Sequence, residues 1–304
     1  GIQEFSHSCE LAPLSPGGRY FYAVGDEASQ VWSATATFRA KPNETTWAPT
    51  ILVYGDLGFD NDVSLPSLVR EASSGSNDFV LHVGDFAYDL NSDGGEVGRR
   101  FMREIDPIAS TLPYMTCIGN HEGGTELDHA SSMYHYMNRF QMPGSGDLVH
   151  GPKGNNIYYS FDAGPAHIVV FSTEVYFWQL WDAAAQFEFL KHDLEAVDRR
   201  KTPWVITMAH RPMYCSNSDG DDCTRTDSNV RLGLPGPLGS RKFKLEELIR
   251  EHKVDVALWA HEHSYERSWP VFDNQVMNGT TAPYVDPGAT VHIVSGASGC
   301  SEHF

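Results

Sequence analysis

Short apolar segments alternate with helix-length amphipathic segments along most of this chain. From Thr50 onward the apolar runs have the length of β-strands, and we predict strands at 50–54, 79–83, 114–118, 167–172, 204–209, 254–259 and 290–295. Helices are predicted near 62–72, 96–110, 128–139, 182–199 and 240–253. Strands that alternate with helices in this way are typical of a layered α/β domain.

The N-terminal part follows a different pattern. Residues 19–24 and 31–38 alternate between apolar and polar positions on either side of a short polar segment, which predicts an antiparallel hairpin. Two strands are not stable alone, so the hairpin either packs on the rest of the chain or is the end of a larger β-sandwich. We predict that 1–47 is the remnant of an N-terminal β-sandwich module and that 48–304 is the α/β domain.

The charge of the chain limits its partners. With 40 acidic and 22 basic residues the formal net charge is −18, which repels polyanions, so we predict no nucleic-acid partner. No apolar run approaches the roughly 20 residues needed to cross a bilayer, so we predict no membrane partner. The sequence does not indicate the oligomeric state. A phosphate ester would need local cations, and 14 histidines and clustered carboxylates are suitable metal ligands.

Cysteines and glycosylation motifs indicate the compartment. Cys215 and Cys223 flank a polar loop that a short disulfide could close, and Asn43 and Asn278 each begin an Asn-x-Thr motif. The pairing stays open for Cys9, Cys117 and Cys300. We therefore expect a secreted, extracellular or endolysosomal glycoprotein, although the first residues of the chain lack the features of a signal peptide.

Residues with metal-binding side chains follow five of the predicted strands. Because ligand sites in α/β sheets lie at the carboxyl ends of strands, we expect these groups to meet at one rim. Carboxylate, amide, phenol and imidazole groups suit a pair of transition-metal ions bound through N and O atoms better than a thiolate site. The predicted metal ligands are Asp56, Asp85, Tyr88, Asn120, His210, His261 and His263.

Other polar residues are interpreted as structural. His82 lies in a buried strand and is predicted to be a core histidine or one that orients a ligand, and His167 is predicted to be structural. Asp219, Asp221 and Asp222 form an acidic run in a loop, which we interpret as a solvated turn and not as a calcium site.

The five blocks together resemble the purple acid phosphatases within the calcineurin-like metallophosphoesterases. The matching stretches are Gly55-Asp56-x-Gly58, Gly84-Asp85-x-x-Tyr88, Gly119-Asn120-His121-Glu122, Ala209-His210-Arg-Pro and Ala260-His261-Glu-His263-Ser-Tyr-Glu-Arg267. The resemblance covers about 50–304 and implies a layered α-β-β-α sandwich whose last strands are missing here. The hairpin before it resembles the tail of the fibronectin-like module of long members. The absence of His from Arg211 to Glu251 is similar to the animal-like long branch.

The resemblance also implies how the ligands are divided between two ions. The Fe³⁺ ligands would be Asp56, Tyr88 and His263. The ligands of a divalent Zn²⁺, Fe²⁺ or Mn²⁺ would be Asn120, His210 and His261. Asp85 would bridge both ions. A phenolate with carboxylates suits the harder trivalent ion, whereas an amide oxygen with two imidazoles suits a borderline divalent one.

The implied activity is that of a binuclear metal-dependent acid phosphatase, which hydrolyses small phosphate monoesters by attack of a metal-bound hydroxide. His121 and Asp85 are the predicted catalytic residues, His121 as general acid or phosphate clamp. Glu262 and Tyr265 are further candidates at the rim. The alternatives are a phosphodiesterase or nucleotide pyrophosphatase on the same site, or an inactive truncated fragment that acts as a binding module.

Overall fold

The computed structural model describes residues 5–43, 47–123, 129–143, 156–178 and 183–299. Its N-terminal part is the predicted hairpin. The four strands are β1 (Arg19–Tyr22), β2 (Gly25–Asp26), β3 (Val31–Trp32) and β4 (Ala36–Arg39). β1 pairs antiparallel with β4, and β2 pairs antiparallel with β3. The Tyr22 hydroxyl donates a hydrogen bond to the carbonyl of Ser110 at 2.9 Å, so the hairpin contacts the α/β part of the chain.

The first sheet of the α/β domain consists of three parallel strands, all of them predicted from the sequence. They are β5 (Ile51–Tyr54), β6 (Phe79–His82) and β7 (Tyr114–Thr116). β6 is buried at all four positions, because its neighbours cover both edges and the sheet is covered on both faces.

The second sheet has the order β14-β17-β13-β10-β9-β8. Its strands are β8 (Tyr159–Ala163), β9 (Ala166–Val170), β10 (Trp204–Met208), β13 (Val256–Trp259), β14 (Tyr265–Arg267) and β17 (Val291–Ser295). The four central strands are parallel and were predicted, whereas the antiparallel edge strands β8 and β14 were not. Two short hairpins are formed by β11 (Leu234–Pro235) with β12 (Arg241–Lys242) and by β15 (Val271–Phe272) with β16 (Gln275–Val276).

Helices lie between the strands. They are α1 (Leu65–Ser73), α2 (Glu96–Ala109), α3 (Asn120–Gly123), α4 (His129–Arg139), α5 (Ala183–Ala196), α6 (Asn229–Leu232) and α7 (Leu245–Glu251). Five of them lie near the predicted positions, whereas the short helices α3 and α6 were not predicted. α7 begins later than predicted because Arg241 and Lys242 pair with β11 instead. Over the described ranges, none of the helices combines the length and the apolar character that a bilayer span requires.

Side chains of the second sheet alternate between two cores. Ile168 and Val170 pack in the core shared with the first sheet, whereas Val169 packs in a second core with Leu190 of α5 and Leu248 of α7. Successive strand residues point to opposite faces, so this alternation places one face of the sheet on the other sheet and the other face on helices. The predicted layered α-β-β-α sandwich is confirmed, and the proposed boundary at 47/48 stays a prediction.

Candidate metal centre

The carboxyl ends of the two sheets meet at one rim. The backbone N–H of Gly55, after β5, donates to the carbonyl of Ser295 at the end of β17 at 2.9 Å. The backbone N–H of His261, after β13, donates to Oδ2 of Asp56 at 3.0 Å. Nδ1 of His210 lies 2.8 Å from the carbonyl oxygen of Val83. The rim is therefore held together by contacts between the sheets, and all seven predicted ligands lie on it.

Three of the predicted ligands form one group. The Tyr88 hydroxyl is 2.7 Å from Nε2 of His263 and 3.2 Å from Oδ1 of Asp56. Nε2 of His263 is 3.3 Å from the same Oδ1. A phenol oxygen, a carboxylate oxygen and an imidazole nitrogen thus face one another, which is a donor set suited to a hard metal ion.

The other four predicted ligands form a second, adjoining group. Nε2 of His210 lies 3.1 Å from Oδ1 of Asn120, 3.2 Å from Oδ2 of Asp85 and 3.2 Å from Nδ1 of His261. Asp85, His210 and His261 each offer one donor atom within 4.8 Å of the others. The residues present therefore fit a divalent ion bound by N and O atoms.

Asp85 is ionised in a buried position. It is 1% exposed, and burial alone would raise its pKa, but the charge and hydrogen bond of His210 hold that pKa well below its usual range. Asp56 is also buried, at 0% exposure. Buried carboxylates of this kind need cations or several hydrogen-bond donors, and bound metal ions are one such source of positive charge.

Four of the predicted ligands have a backbone conformation that is costly for residues with side chains. Asp56 has φ 56°, Asp85 φ 51°, Tyr88 φ 51° and His261 φ 70°. A left-handed backbone conformation in a residue other than glycine costs on the order of 1–3 kcal/mol, and such residues are concentrated at functional sites. The surrounding fold therefore imposes the geometry of this rim at some cost in stability.

Two glycines allow the blocks to approach one another. Gly84 has φ 83°, and a Cβ there would lie 2.7 Å from Nδ1 of His210. A Cβ on Gly119 would lie 2.2 Å from Oδ1 of Asp85. Only a residue without a side chain fits at these two positions, which explains why glycine precedes the ligand in each block.

Glu122 supports this rim, and sequence reasoning assigned it no role. Its side chain is 0% exposed. Its carboxylate accepts hydrogen bonds from the backbone N–H groups of Asp85 at 2.8 Å, Phe86 at 2.9 Å and Gly119 at 3.0 Å. Glu122 thus connects the segments after β6 and β7. The only indication of this role in the sequence was that Glu122 belongs to the same block as Asn120 and His121.

His121, the predicted general acid, lies beside the first group. Its ring is 4.5 Å from that of Tyr88, centroid to centroid, and its Nδ1 is 3.0 Å from Oδ1 of Asp89. Burial lowers the pKa of His121, but the hydrogen bond to Asp89 and the charge of Asp85 outweigh burial and raise that pKa to about 9. The position beside the ligands is that expected of a group able to donate a proton at acidic pH.

The interpretation of the acidic loop as a solvated turn is wrong for two of its three residues. Asp221 is partly buried, with Oδ2 only 2.5 Å from Nε2 of His261. The hydrogen bond to His261 is the main reason that the pKa of Asp221 lies below its usual range. Asp222 is 6% exposed and accepts hydrogen bonds from the Ser228 hydroxyl and from the N–H of Asn229. The loop folds inward because these partners compensate its buried charges.

Arg211 is a second residue that the sequence reasoning passed over. Its Nε donates to Oε1 of Glu174 at 2.9 Å, and Glu174 is 0% exposed. Its Nη1 lies 2.9 Å from Nε2 of His261 and 3.6 Å from Oδ2 of Asp221. A largely buried positive charge, with its side chain 12% exposed, thus lies beside the second group of ligands.

The remaining sequence predictions have mixed outcomes. His82 is buried among aromatic rings, as predicted, with Nδ1 2.7 Å from the Tyr114 hydroxyl. His167 lies between Asp162 and Asp193 as a structural residue. Of the two other rim candidates, Glu262 is 4% exposed next to the loop of 215–223, and Tyr265 is 68% exposed on β14.

The predicted disulfide between Cys215 and Cys223 is present, with the two Cα atoms 5.5 Å apart. Cys9 is exposed and Cys117 is buried, and neither is bonded to another cysteine within the described residues. Cys300 lies outside the described residues. Asn43 and Asn278 are both exposed.

Comparison with known proteins agrees with this geometry. The family model for calcineurin-like phosphoesterases matches residues 49–265, which include all seven predicted ligands. The chain belongs to this family. Among solved structures, the chain is similar to a purple acid phosphatase from yellow lupin seeds, with 27% sequence identity and a TM-score of 0.70. That alignment covers 95% of this chain and 51% of the lupin chain.

Sequence relatives support the same resemblance. The chain is 47% identical to human acid phosphatase type 7 and 46% identical to the mouse protein of that name. Both alignments cover 98% of this chain and 65% of the relative. The resemblance to the purple acid phosphatases is therefore confirmed, and the chain spans about two-thirds of the length of these relatives.

Proposed function

We propose that this protein is a binuclear metal-dependent acid phosphatase that hydrolyses small phosphate monoesters. The observation that supports this most directly is the division of the seven predicted ligands into two adjoining groups with different donor sets. The names of the relatives support the reaction type. Two-metal sites bind phosphate oxygens, supply a nucleophile from water and stabilise the charge of an in-line displacement.

The first group would hold Fe³⁺ through Asp56, Tyr88 and His263. The second would hold Zn²⁺, Fe²⁺ or Mn²⁺ through three residues, namely Asn120, His210 and His261. Asp85 would bridge the two ions: its Oδ2 lies 3.2 Å from Nε2 of His210 in the second group, and its Oδ1 accepts the backbone N–H of His121, the residue whose ring lies beside Tyr88 of the first group.

The residues of this chain have separate tasks in such a reaction. Glu122 and the two glycines hold the segments after β6 and β7 close enough for their side chains to converge. His121 would donate a proton to the leaving oxygen, because its imidazole lies beside Tyr88 and is not one of the seven proposed metal ligands. Asp89 would hold that imidazole in its protonated form through Nδ1.

Metal analysis with a visible spectrum tests the site. We expect two metal ions per chain and a tyrosinate-to-iron absorption that the Tyr88→Phe variant lacks. A colour that survives in this variant would show that Tyr88 is not the ligand. A protein without bound metal and without hydrolysis of p-nitrophenyl phosphate at acidic pH would support the inactive binding module instead.

A pair of substrates tests the role of His121. The His121→Asn variant should lose about 10²- to 10⁴-fold in kcat on an alkyl phosphate, whose leaving group needs a proton. The loss should be much smaller on p-nitrophenyl phosphate, because p-nitrophenolate leaves without protonation. Equal losses on both would refute the general-acid role. Faster hydrolysis of bis(p-nitrophenyl) phosphate than of the monoester would favour the phosphodiesterase alternative.

We also propose that the protein works in a secretory or endolysosomal compartment. The exposed Asn43 and Asn278 can accept glycans, and the disulfide between Cys215 and Cys223 is suited to an oxidising compartment. Treatment of the secreted protein with a glycosidase should lower its apparent mass if these sites are used. An unchanged mass would argue against this part of the proposal.

A further inference from the structure

Asp221 contacts the outer nitrogen of a proposed divalent-metal ligand. Its Oδ2 is 2.5 Å from Nε2 of His261. Nδ1 of the same ring lies 3.2 Å from Nε2 of His210, on the side of the other ligands. The imidazole of His261 therefore has one nitrogen directed at the proposed ion and the other directed at a carboxylate.

The position of the proton on His261 follows from its partners. Nη1 of Arg211 is also near Nε2, at 2.9 Å, and a guanidinium can only donate. Nε2 cannot accept from Arg211 and donate to Asp221 at the same time. If it accepted, the proton of a neutral ring would lie on Nδ1, where it would block metal binding, and two acceptors would face each other 2.5 Å apart. A metal ligand at Nδ1 therefore requires that Nε2–H donate to Asp221.

We infer that Asp221 is a positioning residue that keeps His261 ready to bind the divalent ion through Nδ1. It does so by accepting the Nε2 hydrogen, which fixes both the tautomer and the orientation of the ring. Partners of this kind on ligating histidines raise the basicity of the ligand and strengthen metal binding. This inference rests on the proposed metal centre and adds a residue that is not itself a ligand.

The loop around Asp221 restricts where its carboxylate can lie. The loop is closed covalently by the Cys215–Cys223 disulfide. Within it, the N–H of Asp221 donates to Oδ1 of Asp219 at 2.9 Å. Directly after it, the Thr224 hydroxyl donates to the Asp221 carbonyl at 2.7 Å. The carboxylate is thus presented to His261 by a short, cross-linked segment and does not depend on a mobile side chain of an open loop.

Neighbouring charges support the same arrangement. Oδ2 of Asp221 is 3.6 Å from Nη1 of Arg211, and Arg211 is itself bound to the buried Glu174. Arg211 therefore compensates the negative charge of Asp221 without removing it from His261. Because the carboxylate remains a hydrogen-bond acceptor, it can hold the Nε2 hydrogen.

Retention of the divalent ion provides the first test. The metal-loaded protein is dialysed against increasing chelator, and the metal that remains is measured for wild type, Asp221→Asn and Asp221→Ala. Asp221→Ala should retain the divalent ion about 10- to 100-fold less tightly, and Asp221→Asn should be intermediate because its amide oxygen still accepts a hydrogen bond. Asp227→Ala is the matched control: it removes the same charge from an exposed position nearby and should behave as wild type.

Histidine-selective ¹⁵N NMR provides the second test, on the Zn²⁺-loaded protein and on the same protein after chelation. We expect wild-type His261 to have its hydrogen on Nε2 in both states, and the preference to be lost in chelated Asp221→Ala. The signal is assigned with a His261→Asn variant.

The two tests separate this inference from the proposed function. A wild-type protein that binds no metal would contradict the proposed function, while the tautomer in the chelated protein would still decide the role of Asp221. A hydrogen on Nδ1 of His261, or an Asp221→Ala variant equal to wild type in both tests, would overturn the inference. So would a third ion per chain that Asp221→Ala removes, because Asp221 would then be a ligand.

Discussion

The carboxylate of Glu122 should contribute much more to stability than an exposed carboxylate does. One of its oxygens accepts the N–H groups of Asp85 and Gly119, and the other accepts the N–H of Phe86. In Glu122→Gln the amide can be oriented so that its oxygen keeps the first pair. Its NH₂ group then faces the N–H of Phe86, and that N–H has lost its acceptor.

The size of the effect follows from these three bonds. One unsatisfied buried N–H costs about 1–3 kcal/mol, and the two remaining bonds weaken by about 1 kcal/mol each when their acceptor loses its charge. The expected loss for Glu122→Gln is therefore about 3–5 kcal/mol. Glu122→Ala leaves all three donors unsatisfied and should lower the free energy of unfolding by about 3–9 kcal/mol. A loss of this size approaches the whole free energy of unfolding of a typical domain. For this reason Glu122→Gln is the variant to measure.

Thermal unfolding followed by circular dichroism is a suitable assay. Burial and the charge of Asp85 raise the pKa of Glu122 to about 7, so the fold disfavours the ionised carboxylate and part of the loss is offset when the charge is removed. Measurements at about pH 8 compare an ionised carboxylate with an amide, and the loss should lie at the lower end of the range, at about 3 kcal/mol. At about 2 °C per kcal/mol for a chain of this size, Tm should fall by about 6 °C. Glu188→Gln, on the exposed side of α5, should change stability by no more than about 0.5 kcal/mol. A Tm for Glu122→Gln within about 1 °C of wild type would refute the reasoning.

Two further predictions concern pH and metal. Burial lowers the pKa of His167, but hydrogen bonds to Asp193 and Asp162 outweigh burial and raise that pKa. The contribution of His167 to stability is therefore fully present below its unfolded pKa of about 6.5, and it is lost as pH rises through the higher folded pKa. His167→Asn should therefore lower the urea midpoint more at about pH 5.5 than at about pH 9. Chelation should lower Tm, because ions that bind only the folded chain stabilise it by about 2.7 kcal/mol at a hundredfold excess over Kd.

Each of these has a clear contrary result. An equal loss for His167→Asn at both pH values would show that its charged form is not favoured by the fold. A Tm that does not fall on chelation, or that does not recover when the ions are restored, would show that the rim is stable without metal.

The ligands were predictable because each follows its strand within a few residues. The block from Gly84 to Tyr88 contains its own turn, and its apolar strand is continuous, so the strand end and the ligands were found together. Their division between two ions was inferred from the family resemblance, because nothing in the spacing of the residues fixes which donors face each other.

Residues that act through the tertiary structure were not predictable in the same way. The contact of Asp221 with His261 joins positions 40 apart in the sequence, and it depends on the fold of a loop that reads as a polar turn. The edge strand β8 was missed because the polar residues Ser160 and Asp162 interrupt its apolar positions. The edge strand β14 was missed because it has only three residues, and two of them, Glu266 and Arg267, are charged.

The two donor groups each combine residues from both sheets. Asp56 and Tyr88 follow strands of the first sheet, while their partner His263 follows a strand of the second, and the same mixture holds for Asn120 with His210. A gene segment that encoded one sheet alone would specify fragments of two sites and a complete version of neither. The smallest part of the chain that carries both donor groups is therefore the pair of sheets together.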